Sequence, residues 1–174
     1  AEVYAVEPDQ RCWRDLSRLV DAEHLLGVAL GDTEGVLLLY RSEQAAHNSV
    51  ALANVLRSGS VSDLHVPLST LDALQEQGRL PAHVDAIKVD AQGAEAAILR
   101  GAPQMLQTQH PMLYLELWRD GLRGAGESVE TIRRQLEPLG YLPHGLTWDA
   151  AMASANAQSG HSSIDVLFLP RKAA

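Results

Sequence analysis

Residues 84–102, VDAIKVDAQGAEAAILRGA, constrain the fold of this chain more than any other stretch. Val84, Ala86, Ile87 and Val89 form a short apolar run, as expected for a strand buried on both faces of a parallel sheet. Asp90 stands where the run ends, followed by Gly93 and then Glu95, which opens a helical pattern. Ala94, Ala97, Ile98, Gly101 and Ala102 fall there at one-face spacing. A strand, an acid, a glycine and a helix in that order make one unit of a layered α/β sheet. Ligands of such sheets sit beyond the carboxyl ends of the strands, where Asp90 falls. Carboxylates at a helix start also act as simple caps favoured by the helix dipole, so both roles stand for Asp90 and Glu95.

The alternation continues along the chain. VYAV at 3–6 reads as a strand. A helix is expected over 9–20, with Trp13, Leu16, Leu19 and Val20 on one face, and a second strand over 25–30. Gly31, Asp32 and Gly35 turn into VLLLY at 36–40 as a hairpin-like addition. The polar stretch 41–63 reads as a loop or lid, and LHVPL at 64–68 as an edge strand because of its proline. Ser69 or Thr70 caps a helix ending near Gly78, and Pro103 opens a further helical turn. MLYLELW at 112–118 is a buried strand carrying Glu116. Ser128 caps a helix that Gly140 stops, and a short strand starts at Tyr141. A polar, alanine-rich excursion at 149–163 precedes the strand IDVLFL. With no repeat and no linker, residues 1–174 read as a single α/β domain.

Charge and motif content exclude several functions. Fourteen basic against 22 acidic residues give a net charge of −8, which argues against nucleic-acid phosphates as partners. No apolar run reaches a membrane span and no signal peptide opens the sequence, so the expected setting is cytoplasmic, away from any membrane. Cys12 is the single cysteine, and the seven histidines show no HxxxH or HExxH spacing, so no metal site is expected. No P-loop or GxSxG elbow supports a nucleotide triphosphatase or a hydrolase.

In order, VYAVEPD (3–9), VALGDTEG (28–35), PLSTLDAL (67–74), the 84–102 segment, PMLYLELW (111–118), LEPLGY (136–141) and DVLFLP (165–170) resemble the FkbM-type family of S-adenosylmethionine-dependent methyltransferases. The resemblance implies a Rossmann-like sheet with strand order 3-2-1-4-5-7-6, the seventh strand antiparallel and VYAVEP as the second. It implies that Glu7, beside Pro8, accepts hydrogen bonds from the cofactor ribose, and that Asp32 lies near the adenine. A carboxylate suits a pair of hydroxyls because it accepts two hydrogen bonds. The residues alone also allow Glu7 to be a helix cap. In the family, a first strand and a glycine-rich loop precede VYAVEPD, and here only Ala1 and Glu2 stand before it. The sheet is therefore expected to lack that strand and loop, and the domain to be amino-terminally incomplete, binding S-adenosylmethionine poorly as it stands. A second copy of the chain is one source of a filling strand, by homo-oligomerisation.

Methyl transfer to oxygen needs the acceptor held in line and a base for its proton. Asp90 ranks first as base or acceptor-orienting group and also borders the cofactor, with Glu95 and Glu116 behind it. Lys88, two residues before Asp90, shares its face and either pairs with it or reaches across the sheet to a helix end. His161 with Asp165, and Glu116 with Trp118, can line an acceptor pocket, with packing the first expectation for Trp118. The resemblance implies O-methylation of a small molecule or sugar. The competing expectation is a non-catalytic or truncated α/β binding module.

Overall fold

The computed structural model describes residues 1–42, 48–51, 62–160 and 162–171. Two short parallel strands, β1 (Ala5–Val6) and β2 (Leu25–Leu26), form the first pair. Strands β3 (Ala29–Leu30), β4 (Gly35–Arg41) and β5 (Ser62–Ser69) form a sheet of order β3-β5-β4. The remaining four, β6 (Ala86–Val89), β7 (Met112–Leu117), β8 (Tyr141–Pro143) and β9 (Ile164–Pro170), run in the order β6-β7-β9-β8. There β6 and β7 are parallel, while β9 lies antiparallel to both β7 and β8. The expectation of a predominantly parallel sheet gives way to mixed sheets.

Period-two burial along β7 explains the second half of the chain. Leu113, Leu115 and Leu117 point inward and are fully buried, whereas Met112 and Tyr114 face outward. The inner face is covered by α3 (Glu95–Arg100), α4 (Pro103–Thr108), α6 (Val129–Leu136) and α7 (Trp148–Ala157), through Ile98, Met105, Ile132 and Ala155. Tyr141 and Phe168 complete this core, with the Tyr141 hydroxyl donating to the Pro111 carbonyl at 3.0 Å. On the outer face Ala86 and Lys88 of β6 are exposed, so the 84–89 strand is not buried on both faces as its apolar run predicts. Among the described residues, β6 pairs with β7 alone and β1 with β2 alone, leaving each one unshared edge.

Other departures have local causes. The helix expected over 9–20 is a 3-10 turn at Gln10–Cys12 followed by the single turn α1 (Trp13–Leu16), and Leu19 is 78% exposed. Trp13 is turned into the fold instead, its indole donating to the Glu7 carbonyl at 2.9 Å and its ring packed over Gly27, where a Cβ would collide with it. Gly27 also splits the expected 25–30 strand, so that its first part joins β1 and its last joins β5. The stretch 36–40 pairs with β5, not back onto β3. Strand β5 is central in its sheet despite Pro67. Strand β3 meets it only from Leu68 onward, so Pro67 faces a partner on one side alone. The excursion at 149–163 contains α7, capped by Thr147 and anchored by buried Trp148, Ala151 and Ala155. Between them, α2 (Leu71–Glu76) is capped by Thr70 and α5 (Arg119–Gly124) follows β7. Most of the expected 41–63 loop, and His161, lie outside the described residues.

Candidate functional site

A cavity of about 430 Å³ opens where the carboxyl ends of β1 and β6 face each other. Glu7 and Pro8 border it from the end of β1, and Asp90, Ala91 and Gln92 from the end of β6. Glu116 and Trp118 close it from β7, while Val28, Leu30, Leu37 and Leu39 supply an apolar wall. Apolar walls with a few convergent polar groups, in a volume of this order, are the usual make-up of a small-molecule site.

The turn between β6 and α3 is built to hold its shape. Gln92 and Gly93 have φ of 51° and 105°, both in the left-handed region. Glycine adopts it freely, but for glutamine it is a strain of roughly 1–3 kcal/mol that the surroundings must sustain. They do so from two sides. Glu95, fully buried, accepts through Oε1 the backbone N–H of Ala91 at 2.9 Å and of Gly93 at 3.2 Å. The Ser49 hydroxyl donates to the Gln92 carbonyl at 2.9 Å. Burial pushes the Glu95 carboxyl up, against the pull of those N–H groups, and its Oε2 has no hydrogen-bond partner among the described residues. Glu95 does not border the cavity, and its place is that of the turn's internal brace.

Asp90 and Glu116 form a carboxyl pair. The Gln92 amide nitrogen donates to both, to Asp90 Oδ1 and to Glu116 Oε2, each at 3.1 Å. Lys88 Nζ lies 3.0 Å from Asp90 Oδ2, and the Ser163 hydroxyl donates to Glu116 Oε1 at 2.7 Å. The two acids are driven apart. Partial burial raises Asp90, but the Lys88 ammonium and the hydrogen bonds from Glu116 and Gln92 outweigh it and hold Asp90 below the usual carboxylate range. Burial first, and then the neighbouring Asp90 charge, push Glu116 up to about 7 against the Ser163 bond. Two carboxyls with opposed shifts in one cleft are a recurring arrangement for proton transfer.

Across the cavity, Glu7 is raised mainly by burial, while its Oε1 accepts the Asp9 backbone N–H at 2.7 Å. Asp9, 1% exposed, takes Arg11 Nε and Asn48 Nδ2 on Oδ2, each at 2.8 Å, which ties the end of β1 to the 48–51 segment of the cavity wall. Asp32 stands elsewhere. Its Oδ2 accepts Arg100 Nε at 3.0 Å, Arg100 also pairs with Glu127, and Asp32 is not among the cavity-lining residues. The structure therefore gathers Glu7, Pro8, Asp90 and Glu116 around one space and leaves Glu95 beneath it and Asp32 outside it. Sequence pattern does not mark Ser163, Ser49 or Asn48 as site residues, and marks Gln92 only weakly. Only Gln92 carried a signal, as an amide standing between an acid and a glycine in a strand-to-helix turn. Among the described residues no group of three His, Cys, Asp or Glu side chains is placed to hold a metal ion, and no helix is long and apolar enough to cross a membrane.

Comparison with known proteins follows the same lines. The methyltransferase FkbM domain matches residues 1–143. The fold is similar to the crystal structure of methyltransferase FkbM from Methylobacillus flagellatus KT, with a TM-score of 0.56 at 13% identity. The alignment covers 97% of this chain and 36% of that one, so the chain spans about a third of the length of that protein. No curated protein matches the chain.

Proposed function

Because the chain belongs to the methyltransferase FkbM domain family, we propose that it acts as an S-adenosylmethionine-dependent methyltransferase on a hydroxyl of a small molecule or sugar, in the cavity between β1 and β6. The observation that carries this reading is the meeting of Glu7 and Asp90, from two strand ends far apart in sequence, on one cavity. The order β6-β7-β9-β8 with β9 antiparallel supports it, since it reproduces the 4-5-7-6 part of the sheet that the resemblance implies.

The residues present suit the adenosyl end of the cofactor. Glu7 offers a carboxylate for ribose hydroxyls, oriented beforehand by the Asp9 N–H, beside the apolar Val28, Leu30 and Ile98. When bound, the cofactor supplies a methyl group on a sulfonium. The chain's own part is to orient the acceptor and take its proton. Asp90, pinned by Lys88 and Gln92, is the orienting acceptor of a hydrogen bond. Glu116 is the better base, because a group titrating near 7 matches neutral pH, whereas the depressed Asp90 has little affinity for a proton. With the cofactor and acceptor bound, Glu116 Oε2 would take the proton that the acceptor hydroxyl gives up, while Asp90 would hold that hydroxyl in place. Sequence alone ranks these two acids the other way round.

The test uses the native protein that carries this sequence. Calorimetry should show saturable S-adenosylmethionine binding, and mass spectrometry a gain of one methyl on a hydroxyl compound from a panel of sugars and small alcohols. Binding with no transfer to any hydroxyl would leave a binding module, and absence of binding would remove the cofactor from the reading.

A further inference from the structure

We propose that Gln92 is a positioning residue, whose side-chain amide ties Asp90 to Glu116 and so fixes which carboxyl oxygens face the acceptor. The proposal deepens the methyltransferase reading and rests on it. An amide nitrogen carries two hydrogens, and here each has its own carboxyl, Asp90 Oδ1 and Glu116 Oε2, both at 3.1 Å. The outer oxygens are held as well, Asp90 Oδ2 by Lys88 at 3.0 Å and Glu116 Oε1 by Ser163 at 2.7 Å. Each carboxyl is thus fixed at both ends, with Gln92 as the shared inner clamp.

The backbone supports this assignment. A long side chain at φ 51° is unusual, and glycine would fill the position without strain. The fold instead keeps glutamine there, fastening its carbonyl to Ser49 and the flanking N–H groups to Glu95. Strain sustained on both sides belongs with a side chain whose direction matters. Charge makes the same point. Lys88 from β6, Glu95 from α3 and Glu116 from β7 lie around Asp90, Asp165 from β9 sits opposite Glu116 and acts on Lys88, and Glu7 borders the cavity opposite. In this acidic surrounding a neutral double donor can bridge two carboxyls, where a third carboxylate would repel them.

The experiment follows the Asp90 and Glu116 carboxyl carbons by NMR across pH 3–9 in the chain without ligand, for Gln92→Gly, Gln92→Asn and Gln92→Glu. Gln92→Gly removes the amide and relieves the backbone, so its thermal midpoint should hold or rise while the Asp90 titration moves up. A shift of about one pH unit corresponds to one lost charge-assisted hydrogen bond. Gln92→Glu should move it further, and Gln92→Asn, which tolerates the left-handed region, should recover part of the wild-type curve. In the native protein, kcat should fall in Gln92→Gly with the KM for S-adenosylmethionine unchanged. If Gln92→Gly leaves both carboxyl titrations in place, the side chain merely fills the turn and the proposal is overturned. If the titrations move as expected but the wild-type protein transfers no methyl group, the clamp stands and the methyltransferase reading is what fails.

Discussion

Among the described residues, the two halves of the molecule differ in packing, and the cavity lies between them. The β6-β7-β9-β8 sheet backs onto a continuous core in which Leu113, Leu115, Leu117, Ile132 and Phe168 are fully buried. The β3-β5-β4 sheet has a separate small cluster centred on Ala29, Leu39 and Val66 among the described residues. The acids that would do chemistry, Asp90 and Glu116, stand on the well-packed half. Of the apolar wall, Leu37 and Leu39 come from the smaller cluster, while Val28 belongs to the large core and Leu30 packs against it. A site needs its reacting groups held to within a fraction of an ångström, which a fully buried strand such as β7 can provide.

The most direct way to break this contrast is to hollow out each half in turn. Leu115→Ala removes a fully buried side chain from β7 and should cost about 2–5 kcal/mol in urea unfolding. Val66→Ala, at the centre of the small cluster, should cost about 1–2 kcal/mol. Equal losses would mean that the two halves share one core. Next in size is Glu7→Ala in the native protein. Losing a charged acceptor to two hydroxyls should weaken S-adenosylmethionine binding by about 1.5–3 kcal/mol, with a normal unfolding transition. Unchanged affinity in calorimetry would place the cofactor away from β1.

The better-packed half was also the more legible in sequence. Strand β7, the Ser128-capped helix, the stop at Gly140 and the strand from Ile164 all follow from period-two or one-face burial and from caps that the structure confirms. Asp90 at a strand end was readable for the same reason. Failures cluster where one residue's tertiary partner decides the local shape. Trp13 swings onto Gly27 and the expected long helix shrinks to a turn, and Pro67 is tolerated in a central strand because β3 begins beyond it. The outward faces of β6 and β7 show that an apolar run does not by itself report burial on both sides. Within the site, Glu95 looked like a candidate acid because position alone cannot say whether a carboxylate faces a cavity or its own turn. Glu116 stands behind Asp90 in a sequence reading because its raised proton affinity depends on burial beside Asp90, which sequence does not display.

A smaller effect should appear in the pH dependence of stability. The folded pKa of Glu116 lies near 7, above that of an exposed glutamate, so the native state binds its proton more tightly than the unfolded chain does. Stability from this group is therefore full below the unfolded pKa and is lost as pH rises towards 7. Glu116→Gln, which cannot ionise, should flatten the urea midpoint between about pH 4.5 and 7 and leave the variant relatively more stable above that range. An unchanged slope would show that Glu116 titrates normally and is a poor choice of base. The well-packed half would then contribute orientation without proton transfer.

The smallest expected effect tests whether the lightly packed half contributes any polar group to the cofactor. Asp32 follows β3, and the family resemblance places it near the adenine, yet its carboxylate is paired with Arg100 on α3, and both side chains are about 40% exposed. Asp32→Asn should therefore cost no more than about 1 kcal/mol of stability, the ordinary value of an exposed ion pair, and less at high salt. Arg100 keeps Glu127 at 2.6 Å, so the loss leaves no unpartnered cation. S-adenosylmethionine affinity in the native protein should stay within about twofold of wild type, less than the ~1.4 kcal/mol that makes a tenfold change. A tenfold loss with unchanged stability would give Asp32 a direct contact with the ligand, made by leaving Arg100 when the cofactor binds. Asp32 would then join Glu7 in holding the cofactor, and the lightly packed half would supply binding energy as well as shape.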